Sequence, residues 1–365
     1  MKEIKELLDK LVRFESDALH GEEQRGCVDF VVEYLRGGGL EVKIYESKGK
    51  LSVVAGRKVK KHYEYLLNGH LDVVPAYSAG AYESAIRGGR MYARGTADMK
   101  GVDAAMMVLM KELVKEKETP DVGLMLTMDE EIGGMEGVRY LLEEEGYGCD
   151  CAVVPDGVPG EKDNFRLVIE QKGILHVRVR ARGEAGHGSR PWLGKNAIES
   201  LIGIYQGLKG MDGFSNEEDA WKSTVNLGKM KGGQAVNVVA DAAEMELDFR
   251  LIEDRHMEEV LKKLEGLCAK FGASFELLTS GSGMKTPKEN KYIRSIVAAG
   301  REEGVEMEFE RTPTSSDGRF FTERGIPVIM FAPESSNGHE VEEWVNLESL
   351  GVFYRILKKF VKAGG

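Results

Sequence analysis

The sequence predicts a two-domain α/β protein: a three-layer domain in which helices cover a sheet, interrupted by an inserted ferredoxin-like α+β domain. Three observations predict it. The chain has 365 residues, too many for one compact core. Up to about residue 173, helical stretches alternate with short apolar runs, as in a sheet layered by helices. Between about 174 and 287 the rhythm becomes a strict alternation of apolar and polar residues, after which the first rhythm returns.

Each element is justified by its pattern. Ile4, Leu7, Leu8, Leu11 and Val12 mark one face of an opening amphipathic helix. Apolar runs at 65–67, 122–128, 152–154 and 326–332 read as buried strands, each followed at once by polar residues. In open α/β sheets, ligands bind beyond the carboxyl ends of strands, so the chemistry is expected in the residues after those runs. In the insert, Leu175, Val177, Val179 and Ala181 interleave with His176, Arg178, Arg180 and Arg182. Met245, Leu247, Phe249 and Leu251 interleave with Glu244, Glu246, Asp248 and Arg250. Adding helices near 196–209 and 256–271 and strands near 223–230 and 274–279 gives strand, helix, strand, strand, helix, strand, the ferredoxin-like order. The expected domains are therefore 1–173 with 288–365, and the insert 174–287.

Composition narrows the function classes. Hydrophobic residues make up 42% and charged residues 30%, ordinary values for a soluble globular protein. A formal charge of -11 and the absence of a basic cluster argue against nucleic acid or an anionic membrane as partner. The four cysteines, Cys27, Cys149, Cys151 and Cys268, are too few and too irregular for a disulfide framework, which points to a reducing, cytoplasmic setting. The charged N-terminus is no signal peptide, and no apolar stretch is long enough to span a bilayer.

The residues after the apolar runs gather ionisable groups at one sheet edge. They are Asn68-Gly69-His70-Leu71-Asp72, Asp129-Glu130-Glu131, Pro155-Asp156 and Asn337-Gly338-His339, with Asp98 just ahead of a helical stretch rich in Met and Ala. Singly, each has an ordinary reading: a hydrogen-bonded histidine, a helix N-cap at Asp98, solvated charge at Glu130 and Glu131. Together they need cations, because carboxylates in a low-dielectric setting are costly unless neutralised. Mixed imidazole and carboxylate donors suit zinc and its divalent neighbours cobalt and manganese.

The chain resembles the two-metal metallopeptidase family of acetylornithine deacetylase, succinyl-diaminopimelate desuccinylase, aminoacylase and glutamate carboxypeptidase. The resemblance runs from the first helix to the last. It is carried by Gly69-His70-Leu71-Asp72-Val73-Val74-Pro75, Gly95-Thr96-Ala97-Asp98-Met99-Lys100-Gly101, Asp129-Glu130-Glu131, Gly186-His187 and His339. It implies a zinc-peptidase-like domain with a lid and dimerisation insert. It also implies two divalent ions per subunit, held by His70, Asp98 and Asp156 and by Asp98, Glu131 and His339, with Asp98 bridging.

Individual roles can then be assigned. Asp72 is placed to accept the second ring N–H of His70. In an extended segment Glu131 would face metal and Glu130 the substrate, making Glu130 the general base for a water acidified between cations about 3.5–4 Å apart. The resemblance further implies that His187 stabilises the oxyanion in a partner subunit's site, that Asn237 and Arg250 contact substrate, and that Ser316, Asp317, Gly318 and Arg319 line the acyl or side-chain pocket. A plainer reading of Arg250 pairs it with Asp248 or Glu246. One departure is visible. Many relatives continue the first motif with a Trp and a Pro-Phe pair, where this chain has Ala76-Tyr77-Ser78-Ala79-Gly80-Ala81-Tyr82-Glu83.

The expected activity is removal of an acyl group from an N-acyl amino acid, in the manner of acetylornithine deacetylase or succinyl-diaminopimelate desuccinylase, by a homodimer. A carboxypeptidase or dipeptidase acting on short peptides uses the same chemistry. A non-catalytic metal-binding module stands in a different class, and Glu130 discriminates against it, since such a module has no use for a base beside the metals.

Overall fold

The computed structural model describes the whole chain apart from residues 77, 79, 117–119, 162, 218–220, 337 and 364–365. Tyr77, Ala79 and Asn337, named above from the sequence, therefore lie outside the described residues. Along the chain run α1 (Lys2–Leu11), α2 (Gly21–Gly37), β1 (Glu41–Ser47), β2 (Lys50–Gly56), β3 (His62–His70), β4 (Ala85–Arg87), β5 (Arg90–Tyr92), α3 (Lys100–Leu113), β6 (Val122–Thr127), α4 (Val138–Glu143), β7 (Gly148–Val153) and β8 (Asn164–Gln171). Next are β9 (Gly173–Arg182), α5 (Ala197–Lys209), β10 (Thr224–Gly232), β11 (Ala242–Leu251), α6 (Asp254–Phe271) and β12 (Ala273–Gly281). Last come α7 (Lys291–Glu302), β13 (Glu306–Thr312), α8 (Gly318–Thr322), β14 (Val328–Phe331), β15 (Ser335–Ser336), β16 (Trp344–Asn346) and α9 (Leu347–Ala363).

These elements form two units: Met1–Glu170 with Met284–Thr312 and Ser316–Gly365, and Gln171–Gly283 with Pro313–Ser315. The first is built on an eight-stranded sheet in the order β1-β2-β6-β3-β7-β14-β8-β13. The four apolar runs of the sequence are its centre, β6, β3, β7 and β14. Pairing is parallel between β3 and β6, β3 and β7, and β14 and β7. Their carboxyl ends therefore share one edge.

Period-two alternation along these strands sends side chains to opposite faces, and both faces are buried. Tyr65 and Leu67 of β3, Leu124 and Leu126 of β6, and Ile329 and Phe331 of β14 join the core under α1, α2, α3, α7 and α9. Tyr63 and Leu66, Met125, and Val328 and Met330 join the core under α4 and α8. The result is a three-layer α/β sandwich with helices on both faces.

A smaller sheet, too short in its strands to show in the sequence, has the order β15-β16-β5-β4. Its β16–β5 pairing sets Trp344 against Tyr92, Val345 against Met91 and Asn346 against Arg90. That ladder ties the chain before Asp98 to the chain after His339.

In the second unit the sheet order is β10-β11-β9-β12, antiparallel throughout. Numbered within the unit and read from the other edge, this is 4-1-3-2, the ferredoxin-like arrangement. Leu175, Val177, Val179, Met245, Leu247 and Phe249 are buried under α5 and α6. The opposite face carries Arg178 against Glu246 at 2.7 Å and Arg180 against Glu244 at 2.7 Å. The four cysteines are free thiols and buried, and among the described residues no helix is long and apolar enough to cross a membrane.

Phe331, fully buried, packs its ring against Phe165 at 6.0 Å and Phe353 at 4.8 Å between centroids. Phe331→Ala should cost about 3–5 kcal/mol by leaving a cavity among rigid neighbours. Chemical denaturation measures it, and a loss under about 1 kcal/mol would show that the site collapses around the deletion.

Candidate active site

β3 ends on His70, and its chain crosses to β6 through Leu71 N–H donating to the carbonyl of Thr127 at 2.9 Å. His70 is 2% exposed and faces Asp98, its Nε2 lying 3.0 Å from Oδ1. The other oxygen of Asp98, Oδ2, lies 3.1 Å from Nε2 of His339, which in turn lies 3.1 Å from Glu131 Oε2. One carboxylate thus spans two imidazoles. The N-cap of α3 is Met99, so Asp98 is not spent on capping.

Donor atoms of His70, Asp98 and Glu131 lie within 4.8 Å of one another, and so do those of His70, Glu130 and Asp156. The six residues His70, Asp98, Glu130, Glu131, Asp156 and His339 therefore come together at the sheet edge. Glu130 stands among them rather than on a separate side. The extended geometry expected at Glu130 and Glu131 is replaced by a 3-10 turn, Glu130–Ile132, closed by Gly133 N–H to Glu130 O at 2.8 Å. Both carboxylates can then serve one cluster.

The electrostatics show what the cluster needs. Burial opposes charge on Asp98, yet hydrogen bonds from His339 and His70 hold its carboxyl below the usual range. Hydrogen bonds to Asp98 and Glu131 push His339 up to about 10. His70 also rises, although burial opposes it, because Asp72 and Asp98 outweigh the desolvation. Burial, then the charge of Asp98, push Asp156 up to about 7. Glu130 rises for the same kind of reason, burial first and then Asp156. The imidazoles are drawn toward the cationic form and Glu130 and Asp156 toward the neutral one, which is how oxygen and nitrogen donors behave where positive charge is in demand. The donor set fits two divalent cations.

Supporting contacts come largely from the main chain. His70 Nδ1 lies 3.0 Å from the carbonyl oxygen of Asp72, closer than the 3.5 Å to its carboxylate. The Asp72 carboxylate accepts instead from Glu130 N at 3.3 Å and Glu131 N at 3.1 Å. It therefore fixes the turn that carries Glu130 and Glu131. Asp129, which the sequence left without a role, accepts from Glu136 N at 2.8 Å and Gly137 N at 3.0 Å, closing the same loop.

Ser316, Asp317 and Arg319 are 1%, 2% and 5% exposed. Arg319 donates through Nη2 to Gly133 O at 2.7 Å and through Nη1 to Ser316 O at 2.9 Å. Ser316 Oγ accepts from Gly318 N at 3.2 Å. Asp317 Oδ1 approaches Gly134 so closely that a Cβ there would lie 2.0 Å from it. Through these contacts Asp317 and Arg319 pack against Gly133 and Gly134 and brace the Glu130 turn. A part for Ser316, Asp317, Gly318 and Arg319 in lining the acyl or side-chain pocket stays a proposal.

His187, Asn237 and Arg250 belong to the second unit. His187 and Asn237 meet there, Gly188 N donating to Asn237 O at 2.7 Å beside the bridge of His187 to Val238. Exposed His187 accepts at Nδ1 from Ser189 N at 3.1 Å, which leaves the proton on Nε2. Arg250 does pair with Asp248, at 3.0 Å, but through Nε. Among the described residues its terminal nitrogens meet no acceptor.

Two histidines and four carboxylates at the carboxyl ends of the central parallel strands form a candidate dinuclear centre of the kind a metal-dependent hydrolase uses. The model of peptidase family M20/M25/M40 matches residues 66–363, and the chain belongs to that family, whose members act on amide bonds with the help of metal. Curated relatives include the succinyl-diaminopimelate desuccinylases of Delftia acidovorans, 27% identical over 79% of this chain and 78% of that one, and of Herminiimonas arsenicoxydans, 28% identical over 89% and 90%. Among solved structures, the M20 family metallo-carboxypeptidase Sso-CP2 from Sulfolobus solfataricus aligns with a TM-score of 0.83 at 20% identity over 99% of both chains. The aminopeptidase PepT from Bacillus cereus aligns with a TM-score of 0.80 at 19% identity over 99% and 98%. These structures share the fold.

Arg319→Lys removes one arm of the fork beneath the Glu130 turn. We predict a fall in kcat of about 10–100-fold from the displaced base, with metal content per chain unchanged by elemental analysis. Unaltered kcat would show that the turn holds without it.

Proposed function

We propose that the protein is a deacylase of N-acylated amino acids, of the succinyl-diaminopimelate desuccinylase or acetylornithine deacetylase type, with zinc as the fitting metal and cobalt or manganese as workable substitutes. The observation that carries the hydrolytic chemistry is the Asp98 carboxylate set between His70 and His339 with Glu130 alongside. His70, Asp98 and Asp156 would hold one cation and Asp98, Glu131 and His339 the other. Such a pair polarises the scissile carbonyl and acidifies water.

The residues of the chain do the rest. Glu130 accepts the proton of the attacking water and returns it to the leaving amine, so that the C–N bond breaks with a neutral amine departing. Asp72 keeps Glu130 and Glu131 in place through their peptide N–H groups. The Nε2–H of His187 is a donor suited to the developing oxyanion. Arg250, with its terminal nitrogens open, suits the substrate's free carboxylate, and Asn237 accompanies His187. For acyl amino acids over peptides, support comes from the desuccinylase relatives, which match over most of their length. The peptidase neighbours favour a carboxypeptidase or dipeptidase reading, which shares every step above.

A homodimer through the second unit, with His187 serving the partner's site, completes the proposal. Trp192, near His187 in the chain, and Val236, next to Asn237, are 75% and 104% exposed, large apolar side chains that suit a contact face.

Glu130→Gln should lower kcat by about 10²–10⁴-fold while both metals stay bound, because the proton acceptor goes and the ligands remain. Assays on N-succinyl, N-acetyl and dipeptide substrates, with and without chelator, separate the readings. Cleavage of dipeptides alone would replace the deacylase reading, and no turnover by metal-loaded protein would remove both. His187→Ala should bind metal normally yet turn over slowly. Mixing it with Glu130→Gln should restore activity toward about half of wild type in mixed dimers, one intact site of two, or about a quarter in an equimolar random mixture. Verified mixed dimers without recovery would refute the shared site.

A further inference from the structure

Glu343 is a buried carboxylate to which the chemistry above gives no part, and it sits where the segments carrying Asp98 and His339 meet. Its side chain is 1% exposed. Oε2 accepts from Arg94 Nη1 at 2.6 Å and from Gly95 N at 3.0 Å. Oε1 accepts from Ala97 N at 2.8 Å and from Asp98 N at 3.1 Å. Arg94, itself 3% exposed, reaches back through Nη2 to the carbonyl of Glu340 at 3.2 Å. Main-chain pairing of Ala93 N with Glu343 O at 3.1 Å extends the β16–β5 ladder up to this point. One carboxylate thus gathers four N–H donors from segment 94–98, and the last belongs to Asp98.

The turn that carries His339 requires such support. His339 has φ 66° and Glu342 φ 64°, left-handed values that strain a non-glycine residue and persist only where surroundings over-determine them. The β16–β5 ladder fixes the far end of the turn, and Glu343 fixes its neighbour segment. A glutamine could accept only through its single carbonyl oxygen, and its amide would face two N–H donors. The acceptor pattern calls for a carboxylate.

We propose that Glu343 is a positioning residue that holds Asp98 and His339 in register before metal arrives, so that its loss speeds metal release and slows turnover without weakening substrate binding. The inference rests on the reading of Asp98 and His339 as ligands of one dinuclear centre.

Two measurements test it. In metal-stripped wild-type protein, hydrogen exchange at the Ala97 and Asp98 amides should be slowed at least about 100-fold, as for stable native hydrogen bonds, and should change little when Zn(II) is added. Exchange at loop-like rates until Zn(II) is added would overturn the proposal, and no variant has to fold for that result. Next, Glu343→Gln and the double variant Arg94→Met with Glu343→Gln, which removes the stranded cation, are loaded with Zn(II) and challenged with a chromogenic chelator. Both should release Zn(II) about tenfold or more faster than wild type, a shift expected when support behind a ligand is lost, and kcat should fall by a similar factor with KM within about twofold. A residue of merely structural importance would lower the melting temperature with and without metal alike and leave release from folded protein at the wild-type rate. That outcome also overturns the proposal. Wild-type protein that takes up no Zn(II) would instead sink the dinuclear reading, and this inference with it.

Discussion

Carboxylates crowded at the edge of a buried sheet repel one another and lose hydration, so their assembly depends on positive charge placed among them. In this protein that dependence centres on Asp98, whose two oxygens face His70 and His339. Around it the titrations diverge, with His339 raised to about 10 and Asp156 to about 7. The architecture serves this crowding. Parallel strands buried on both faces bring several carboxyl ends to one place, and glycines stand where buried carboxyls approach the backbone. A Cβ on Gly69 would come within 1.9 Å of Asp103 Oδ1, and one on Gly137 within 2.1 Å of Asp129 Oδ1.

A second regularity is a consequence of the first. Cations cannot be spared for every buried carboxylate, so several are satisfied by peptide N–H groups of the loops they support. Asp72 takes two, from Glu130 and Glu131; Asp129 takes two, from Glu136 and Gly137; Glu343 takes three besides Arg94. Hydrogen bonds to an ionised acceptor are stronger than neutral ones, and each of these also fixes a loop at the candidate metal cluster. Charge that would otherwise destabilise the edge becomes the means of holding it rigid.

How much of this was legible in the sequence varied with the length of the signal. The long elements declared themselves: α1 by its apolar stripe, the central strands by unbroken apolar runs, β9 and β11 by strict alternation. The metal edge was legible because motifs come directly after the strands. Short strands were not, since β15 has two residues and β4, β5 and β16 three each, too few for any period to show. The Glu343 contacts were hidden with them, because Arg94 lies 249 residues away in the chain. The burial of Ser316, Asp317 and Arg319 was not legible, since a short polar segment gives no sign of the main-chain carbonyls and tight packing that accept it. The turn at Glu130 was misjudged because three residues with no periodicity cannot distinguish an extended strand end from a 3-10 turn.

The division between the two units bears on specificity. Solved peptidases share this fold, and desuccinylases are among the curated relatives, so the fold by itself does not separate their substrates. Discrimination has to come from groups that touch the parts of the substrate remote from the scissile bond, and it raises kcat only where those contacts tighten in the transition state. Arg250 offers a fork to a carboxylate, which both substrate classes possess. His187 is different, because Ser189 commits its Nδ1 as acceptor and leaves Nε2–H as donor. In the role proposed for it, such a donor gains strength as an oxygen acquires charge, and that gain would belong to the transition state of amide cleavage whatever acyl group is attached.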